Sequence, residues 1–272
     1  MGSETDSRSP LALHVLASGS KGNASIIENT RTGACVVVDC GICKRDFFTR
    51  CDEAGIELDR IAGILITHEH TDHTKGLGVV LRGFAKRDLH PALFSSSRVA
   101  EVSSDIREVR ELVDLHDLRA EDTLALAGID IHPFATSHDC AESFGFRFML
   151  DGDAIGFMTD SGVCTPQAHD ALQRCRILAI ESNHDLKMLR NGPYPYPVRK
   201  RIASDVGHLS NEQSASLLED LLCDELEQVI AMHISETNNT YRMPCDALGA
   251  IVERNTHPAQ VRSSRQRTLV SV

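Results

Sequence analysis

The chain has 272 residues with 28 Lys and Arg against 39 Asp and Glu, so its formal net charge is −11. This acidity argues against indiscriminate adhesion to nucleic acid, although it permits a local basic groove. No segment approaches the roughly 18 consecutive apolar residues of a membrane span, and the opening MGSETDSRSP lacks the apolar core of an export signal. We therefore expect a cytoplasmic protein without membrane contact, whose residues 1–10 are disordered.

Short apolar runs that end at polar residues recur along the chain. The first four are LALHVLAS (11–18), ASIIE (24–28), ACVVVDCG (34–41) and IAGILITH (61–68), and the later ones are SFGFRFML, AIGFMTD, RILAIES and EQVIAMH. Alternation of these runs with helical segments predicts one α/β domain over residues 11–253. The polar strand ends are expected to meet at one active edge. Residues 254–272 carry Arg262, Arg265 and Arg267 and are predicted to form a basic, flexible tail.

The stretch LITHEHTDHTKG directly after the fourth run is rich in metal ligands. Its His68, His70, Asp72 and His73 are nitrogen and oxygen donors suited to zinc, manganese or iron. Crowded neighbours cannot all bind one ion, so the spacing favours two ions, with His68 and His70 on one and Asp72 and His73 on the other. Further ligands are expected at other strand ends, where the sequence offers His138 in ATSHDC, Asp160 in MTDSG and His233 in AMHISETNN.

Together these motifs resemble the metallo-β-lactamase superfamily and, within it, the YycJ/WalJ group. The second resemblance is carried by LASGSKGNAS, DCG, THEHTDHTKG, TDSG, ESNHD and GHLSN, over about residues 12–240. It implies an αβ/βα sandwich, two mixed β-sheets flanked by helices, that binds two divalent metal ions, zinc or manganese with iron possible.

The resemblance also implies a division of the ligands. His68, His70 and His138 would hold one ion, Asp72, His73 and His233 the other, and Asp160 would bridge them. Asp39 matches the acid of the superfamily's first motif, which orients the metal-binding loop without binding metal itself. The alternative for Asp39 is a turn-forming residue at a strand end.

In the last third, RILAIESNHD, GHLSNEQSASLLEDLL and VIAMHIS follow one another in an order similar to that of tRNase Z. The tetrapeptides GHLS and MHIS are nearly the same, yet His233 follows an apolar strand, whereas His208 precedes a helix whose capping box is Ser210 with Gln213. We therefore predict that His208, oriented by Glu181, is a general acid, and we place Asp72 with them as catalytic. The alternative makes His208 an exposed neighbour of the helix cap and Glu181 a surface strand end.

Three segments are candidates for substrate binding. LKMLRNGPYPYPVRKRI, residues 186–202, carries five positive charges and no acid, and we predict that Arg199, Lys200 and Arg201 contact nucleic acid, with a merely solvated surface as the alternative. The loop SGSKGN offers Ser20, Lys21 and Asn23, or else is a plain hairpin turn. His184 in ESNHD either contacts substrate or turns the chain.

These patterns predict a two-metal phosphodiesterase, most naturally a nuclease with nucleic acid as its partner, DNA favoured over RNA. The YycJ/WalJ resemblance implies the DNA preference and a 5′–3′ exonuclease mode. A metal-bridged hydroxide would attack phosphorus while His208 protonates the leaving oxygen. Two alternatives stay open at this point: a hydrolase of a small cyclic phosphodiester, thioester or lactone at the same centre, and a non-catalytic, metal-binding regulatory module. The sequence does not specify an oligomeric state.

Overall fold

The computed structural model of the protein describes residues 9–120 and 122–272. The strands are β1 (Leu11–Ala17), β2 (Ala24–Asn29), β3 (Cys35–Val38), β4 (Ile61–Leu65), β5 (Ala92–Ser95), β6 (Leu115–Asp117), β7 (Leu124–Leu126), β8 (Ile129–Ala135), β9 (Phe144–Leu150), β10 (Asp153–Met158), β11 (Ile177–Glu181), β12 (Gln228–Met232), β13 (Gln260–Ser263) and β14 (Val270–Ser271). The helices are α1 (Lys44–Glu53), α2 (Thr71–Thr74), α3 (Leu77–Ala85), α4 (Ser97–Val102), α5 (Ser104–Val109), α6 (Pro166–Leu172), α7 (Leu186–Asn191), α8 (Tyr196–Ile202), α9 (Asn211–Leu221) and α10 (Met243–Arg254).

The strands form two seven-stranded mixed sheets, in the orders β14-β1-β2-β3-β4-β5-β6 and β13-β12-β11-β10-β9-β8-β7. In each sheet the strands from the middle to one edge are parallel, β3 to β6 in the first and β10 to β13 in the second. The remaining neighbours are antiparallel. This confirms the predicted α/β architecture of two mixed sheets flanked by helices.

Three apolar layers hold the sheets and helices together. Side chains of both sheets, among them Leu13 and Phe146, fill the space between the sheets. Phe47 of α1 and Phe84 of α3 belong to the layer on the outer face of the first sheet. Leu218 of α9 and Leu248 of α10 belong to the layer on the outer face of the second. Since the parallel strands β3, β4, β11 and β12 are buried and mostly apolar, the polar residues of the candidate site lie at or beyond their ends.

The prediction of a flexible tail after Arg254 is wrong. β13 extends the second sheet in parallel with β12, and β14 pairs antiparallel with β1 in the first sheet. Val261 contacts the core under α9 and α10, and Val270 contacts the core between the sheets. Exposed basic residues do not by themselves indicate a flexible segment, because edge strands commonly carry charge on their solvent side.

The predicted disordered segment, residues 1–10, lies outside the described residues except for its last two positions. Of these, Pro10 accepts a hydrogen bond at its carbonyl from the backbone N–H of Thr30 at 2.9 Å. Among the helices that the structure describes, none has the length and apolar character needed to cross a membrane.

Candidate metal centre

The loop that carries His68 to His73 connects β4, which ends at Leu65, to α3, which begins at Leu77, and contains the short helix α2. It packs closely on the chain after β3: the position that a Cβ of Gly41 would occupy is only 1.6 Å from the carbonyl oxygen of Asp72. Any side chain at position 41 would therefore displace the loop. The backbone N–H of Asn23 also donates to that carbonyl at 2.8 Å. Glycine and asparagine at these two positions thus fix the path of the loop.

The first group of potential ligands consists of His68, His70 and His138, whose ligand atoms lie within 4.8 Å of one another. Nε2 of His138 is 3.2 Å from Nδ1 of His70. Nδ1 of His138 donates to the carbonyl of Gly207 at 3.0 Å, and Nδ1 of His68 lies 2.9 Å from Oγ1 of Thr67. Nε2 of His68 is buried without a hydrogen-bond partner.

The second group consists of Asp72, His73 and His233, which meet the same distance criterion. Oδ2 of Asp72 is 3.6 Å from Nε2 of His73 and 3.4 Å from Nε2 of His233. Nδ1 of His73 donates to Asp39 at 2.7 Å, and Nδ1 of His233 donates to Glu181 at 3.1 Å. In both histidines the Nδ1 proton is held by a carboxylate and Nε2 faces the group, which is the arrangement common for histidine ligands of metals.

Asp160 lies between the two groups. Its Oδ2 is 3.3 Å from Nε2 of His73, and its Oδ1 is 3.8 Å from Nε2 of His138 and 3.5 Å from Nδ1 of His233. Oδ2 of Asp160 is buried and has no hydrogen-bond partner. This position is compatible with a ligand shared by two ions.

The donor set fits divalent metal ions. Nε2 of His68 and Oδ2 of Asp160 are buried polar atoms without partners among the described residues, and both residues belong to one group whose ligand atoms lie close together. An orphaned buried polar atom is costly unless something satisfies it, and an ion would do so. Burial and the charge of His73 lower the pKa of His68 well below its usual range, so that its imidazole is neutral and able to bind a metal.

Three residues of the centre have a left-handed backbone. Asp39, Asp160 and His233 have φ angles of 62°, 54° and 52°, and each follows the end of a strand. This conformation costs a non-glycine residue on the order of 1–3 kcal/mol. It turns the chain sharply at the strand end, and the three side chains are thereby buried in the centre.

Asp39 is buried and hydrogen-bonded to His73 and Thr67. Besides His73, it contacts Thr67, whose backbone N–H and hydroxyl donate to Oδ1 at 2.9 and 3.0 Å. Burial disfavours a charged His73, but Asp39, Asp160 and Asp72 outweigh it and raise the pKa of His73 well above its usual range. Asp39 therefore orients the ring of His73 through its Nδ1 proton.

The Glu181–His208 pair lies beside Asp160. Nδ1 of His208 donates to Oε1 of Glu181 at 2.8 Å and is 3.7 Å from Oδ1 of Asp160. Burial opposes ionisation of Glu181, but the charge of His208 and the hydrogen bonds from His208 and His233 prevail and lower its pKa to about 2. Nε2 of His208 forms no hydrogen bond with any other described residue. The capping box of Ser210 and Gln213 starts α9 as predicted.

The three predicted substrate residues of the SGSKGN loop differ in their exposure and in their contacts. Ser20 is exposed, whereas Lys21 forms an ion pair with Glu236 at 2.6 Å. Asn23 is buried, and its amide nitrogen lies 3.0 Å from Nε2 of His73 and donates to Asp72. The side chain of Asn23 therefore faces the candidate ligands, not open solvent.

The remaining substrate candidates lie around α7 and α8. Arg201 donates to Asp139, the neighbour of His138, at 2.9 Å. Arg199 donates to the carbonyl of Arg190, and Lys200 is exposed. His184 is fully buried, and neither of its ring nitrogens has a hydrogen-bond partner.

Sequence reasoning missed several residues that support the centre. Oε1 of Glu69 accepts from the backbone N–H of Ala141 at 2.6 Å and so ties the HEHTDH loop to the segment that carries His138. The amide of Asn183 donates to the carbonyl of His233 at 2.8 Å. Thr67 and Asn183 stand inside the quoted motifs, so their polar side chains were the available signal, whereas the contact of Arg201 with Asp139 spans 62 positions and had none.

Comparison with known proteins identifies the family of the chain. Residues 35–234 match the family described as a beta-lactamase superfamily domain. The chain is 30% identical to exodeoxyribonuclease YycJ of Bacillus anthracis over 245 residues, 89% of this chain and 90% of that protein. It is 31% identical to exodeoxyribonuclease WalJ of Streptococcus pneumoniae over 230 residues, 83% of this chain and 82% of that protein.

Among solved structures, the short form of human tRNase Z superposes with a TM-score of 0.64 and 15% identity, covering 95% of this chain and 98% of that one. At this identity the likeness concerns the fold alone. The family match spans most of the chain, and the identity to YycJ extends over nearly all of both proteins. The chain therefore belongs to the metallo-β-lactamase superfamily and, within it, to the YycJ/WalJ group.

Proposed function

We propose that the protein is a metal-dependent phosphodiesterase that hydrolyses polynucleotides, with DNA favoured over RNA. The observation that carries the proposal is the Glu181–His208 pair, in which a buried Glu181 holds a half-buried His208 beside the two ligand groups and Nε2 of His208 has no partner among the described residues. Two relatives named exodeoxyribonucleases support the choice of DNA and of an exonuclease mode. The 5′–3′ polarity within this proposal rests on the resemblance of the sequence motifs alone.

In this proposal two divalent ions, zinc or manganese, occupy the centre. His68, His70 and His138 would hold one ion, Asp72, His73 and His233 would hold the other, and Asp160 would be a ligand shared by both. Divalent ions in such a centre lower the pKa of bound water toward about 7 and neutralise charge on a phosphate.

His208 supplies the proton that a departing alkoxide requires. Its Nδ1 proton is fixed by Glu181, so Nε2 is the atom that donates to the leaving oxygen. Glu181 stabilises the imidazolium before transfer and keeps the ring in one orientation, since its second oxygen is held by the backbone N–H groups of Ser161 and Leu209 at 2.9 and 3.2 Å. Asp72 is the third residue of the proposed catalytic set. Its carboxylate lies between His73 and His233.

The test is incubation of metal-loaded protein with end-labelled single- and double-stranded DNA and RNA, beside a small chromogenic diester. Mononucleotides released progressively from the 5′ end of DNA would support the exonuclease proposal. Hydrolysis of the small diester with no cleavage of any polynucleotide would favour the small-molecule alternative. His208→Ala should lose activity. His90→Ala is the matched control, because His90 is an exposed histidine that pairs with an acid, Asp88, as His208 pairs with Glu181. The cytoplasmic location remains a prediction from the sequence.

A further inference from the structure

A groove borders α7, α8 and the start of α9. Its two halves are cavities of about 460 and about 350 Å³ that share Leu186 and Ala203 as lining residues and therefore adjoin. Both volumes are in the range of roughly 300–1,000 Å³ that is typical of pockets for small ligands. We call it the α7–α8 groove; the first half is lined by Tyr196, Arg199 and Lys200, and the second by His184.

The groove is connected to the candidate centre at two places. The backbone of His184 forms a β-bridge with Ser210, two residues beyond His208. At the other side, Arg201 of α8 donates to Asp139, the neighbour of His138. The groove therefore lies next to the centre in the fold.

The first half of the groove is cationic. Within residues 9–120 and 122–272, Arg190, Arg199 and Lys200 have no acidic side chain within 4.0 Å, in contrast to the paired Arg201. Nε of Arg199 is buried without a hydrogen-bond partner. Glu212 lines the second half, so the positive charge is concentrated between α7 and α8. Unpaired cations in a chain of net charge −11 favour a phosphate ligand.

Apolar surface lies beside these cations. Tyr196 is 69% exposed and Leu186 is 45% exposed, although both line the groove. Pro195 and Pro197 flank Tyr196 and restrict the backbone that carries its ring, so stacking a ligand on the ring costs little conformational entropy. An aromatic ring next to cations is the combination with which proteins bind single-stranded nucleic acid.

His184 adds a polar group in the wall of the second half. Burial lowers the pKa of His184 to about 4, so the ring is neutral and has one N–H donor and one acceptor. Both nitrogens lack a partner in the described residues.

We propose that the α7–α8 groove binds a single-stranded segment of the polynucleotide, with one base stacked on Tyr196 and the adjacent phosphates on Arg199 and Lys200. The proposal rests on the proposed nuclease function and assigns a binding subsite to that activity.

The experiment measures binding, independently of hydrolysis. Labelled 12-mer phosphorothioate oligonucleotides of DNA and of RNA are titrated with the metal-loaded full chain, and fluorescence anisotropy gives Kd. Tyr196→Ala should weaken binding about tenfold, the order expected for loss of one stacked base, and Tyr196→Phe should restore it. Replacing Arg199 and Lys200 with serine should reduce the slope of log Kd against log salt by about 1.4, the value for two phosphate contacts of a single strand.

A scan with one abasic position at a time locates the stacked base. We expect one position to dominate the loss of affinity in the natural chain, and that position should become neutral in Tyr196→Ala. The matched control replaces Lys86 and Arg98 with serine, which changes charge equally on α3 and α4 at the other sheet and should leave Kd and its salt slope unchanged.

Two results would overturn the groove proposal: the same Kd for Tyr196→Ala and the natural chain with a flat abasic scan, or equally tight binding of blunt duplex and single strand. Tighter binding of the DNA or of the RNA arm identifies the natural ligand. If the oligonucleotides bind as described but no polynucleotide is cleaved under any metal, the nuclease proposal fails while the groove proposal stands.

Discussion

Oε1 of Glu181 lies 2.8 Å from Nδ1 of His208, and the same oxygen lies 3.1 Å from Nδ1 of His233. One carboxylate oxygen thus contacts the histidines of the two nearly identical tetrapeptides, GHLS and MHIS. The two rings differ in what their other nitrogen faces. Nε2 of His233 is 3.4 Å from Asp72 among the candidate ligands, whereas Nε2 of His208 has no partner among the described residues. Glu181 therefore orients both a proposed metal ligand, His233, and a proposed general acid, His208.

This difference predicts distinct losses for the two alanine variants. His233→Ala should lose metal from one site and activity on every substrate, because a ligand is removed. His208→Ala should keep both ions and the fold yet lose about 10²–10⁴ in kcat. The loss should shrink on a diester with a nitrophenolate leaving group, which departs without a proton. Metal analysis and kcat on good and poor leaving groups check this.

Glu181→Gln extends the comparison. Since Glu181 also orients His233, this variant should show the leaving-group dependence more weakly and should bind metal about 10–100-fold less tightly. The double variant with His208→Ala should be less than additive in kcat because the two residues act as a unit. A metal-depleted His208→Ala, or an equal defect on good and poor leaving groups, would refute the general acid role.

Asp160 should be required for full metal occupancy. Its two oxygens approach histidines of both ligand groups, so Asp160→Ala should bring the metal content below two ions per chain. Asp170→Ala is the control, because Asp170 is exposed on α6. Elemental analysis of the purified variants gives the stoichiometry. Two tightly bound ions and full activity in Asp160→Ala would remove Asp160 from the bridging position.

Much of this centre was accessible from the sequence because its residues follow a simple physical pattern. Buried parallel strands end at one edge, so polar residues at those ends, such as His68, Asp160 and His233, are brought together by the fold. The capping box at Ser210 is equally local, since both partners lie within four residues. Pattern and spacing sufficed for these residues, and the structure assembles them into the ligand groups.

Long-range contacts were not accessible in the same way. Arg201 was expected on nucleic acid, but the structure pairs it with Asp139, and no local signal links two positions 62 residues apart. The segment after Arg254 was read by its charges, whereas its strands are specified by pairing with β12 and β1. Edge pairing depends on the finished sheet, which a local reading cannot supply.

The stability of the metal-free protein should fall at both acidic and alkaline pH. Glu181 has a pKa lowered to about 2, so its stabilisation is present above its ordinary pKa near 4.5 and is lost as the pH falls toward 2. Burial opposes a charged His233, but Asp160, Asp72 and Glu181 raise its pKa to about 10. That stabilisation is complete below about pH 6.5 and is lost as the pH rises toward 10.

We therefore expect the chelated protein to have its highest Tm between about pH 4.5 and 6.5. With metal bound, the alkaline loss should largely vanish, because a coordinating imidazole is neutral and metal binding releases protons. Thermal unfolding across pH, with and without chelator, measures both curves. An alkaline decline of the same size in the metal-loaded protein would contradict the assignment of His233 as a ligand.

The last prediction concerns Gln266, which lies in the segment once expected to be flexible. Its Oε1 accepts from the backbone N–H of Lys21 at 2.9 Å, and its Nε2 donates to the carbonyl of Gly22 at 2.7 Å. The loop that it clamps leads to Asn23, whose amide contacts Asp72 and His73. The C-terminal segment therefore braces the proposed second metal site through one side chain.

Gln266→Ala removes both clamping hydrogen bonds from a buried position and should destabilise the fold by about 1–3 kcal/mol. Because Asn23 and Asp72 lose their support, metal affinity should fall for one ion and not for the other, so metal titration should become biphasic. Gln260→Ala on the exposed side of β13 is the matched control and should change neither quantity. Equal weakening of both ions in Gln266→Ala would show that the variant acts through general loosening of the fold, and unchanged affinity for both would show that Asn23 holds the loop without help from the C-terminal segment.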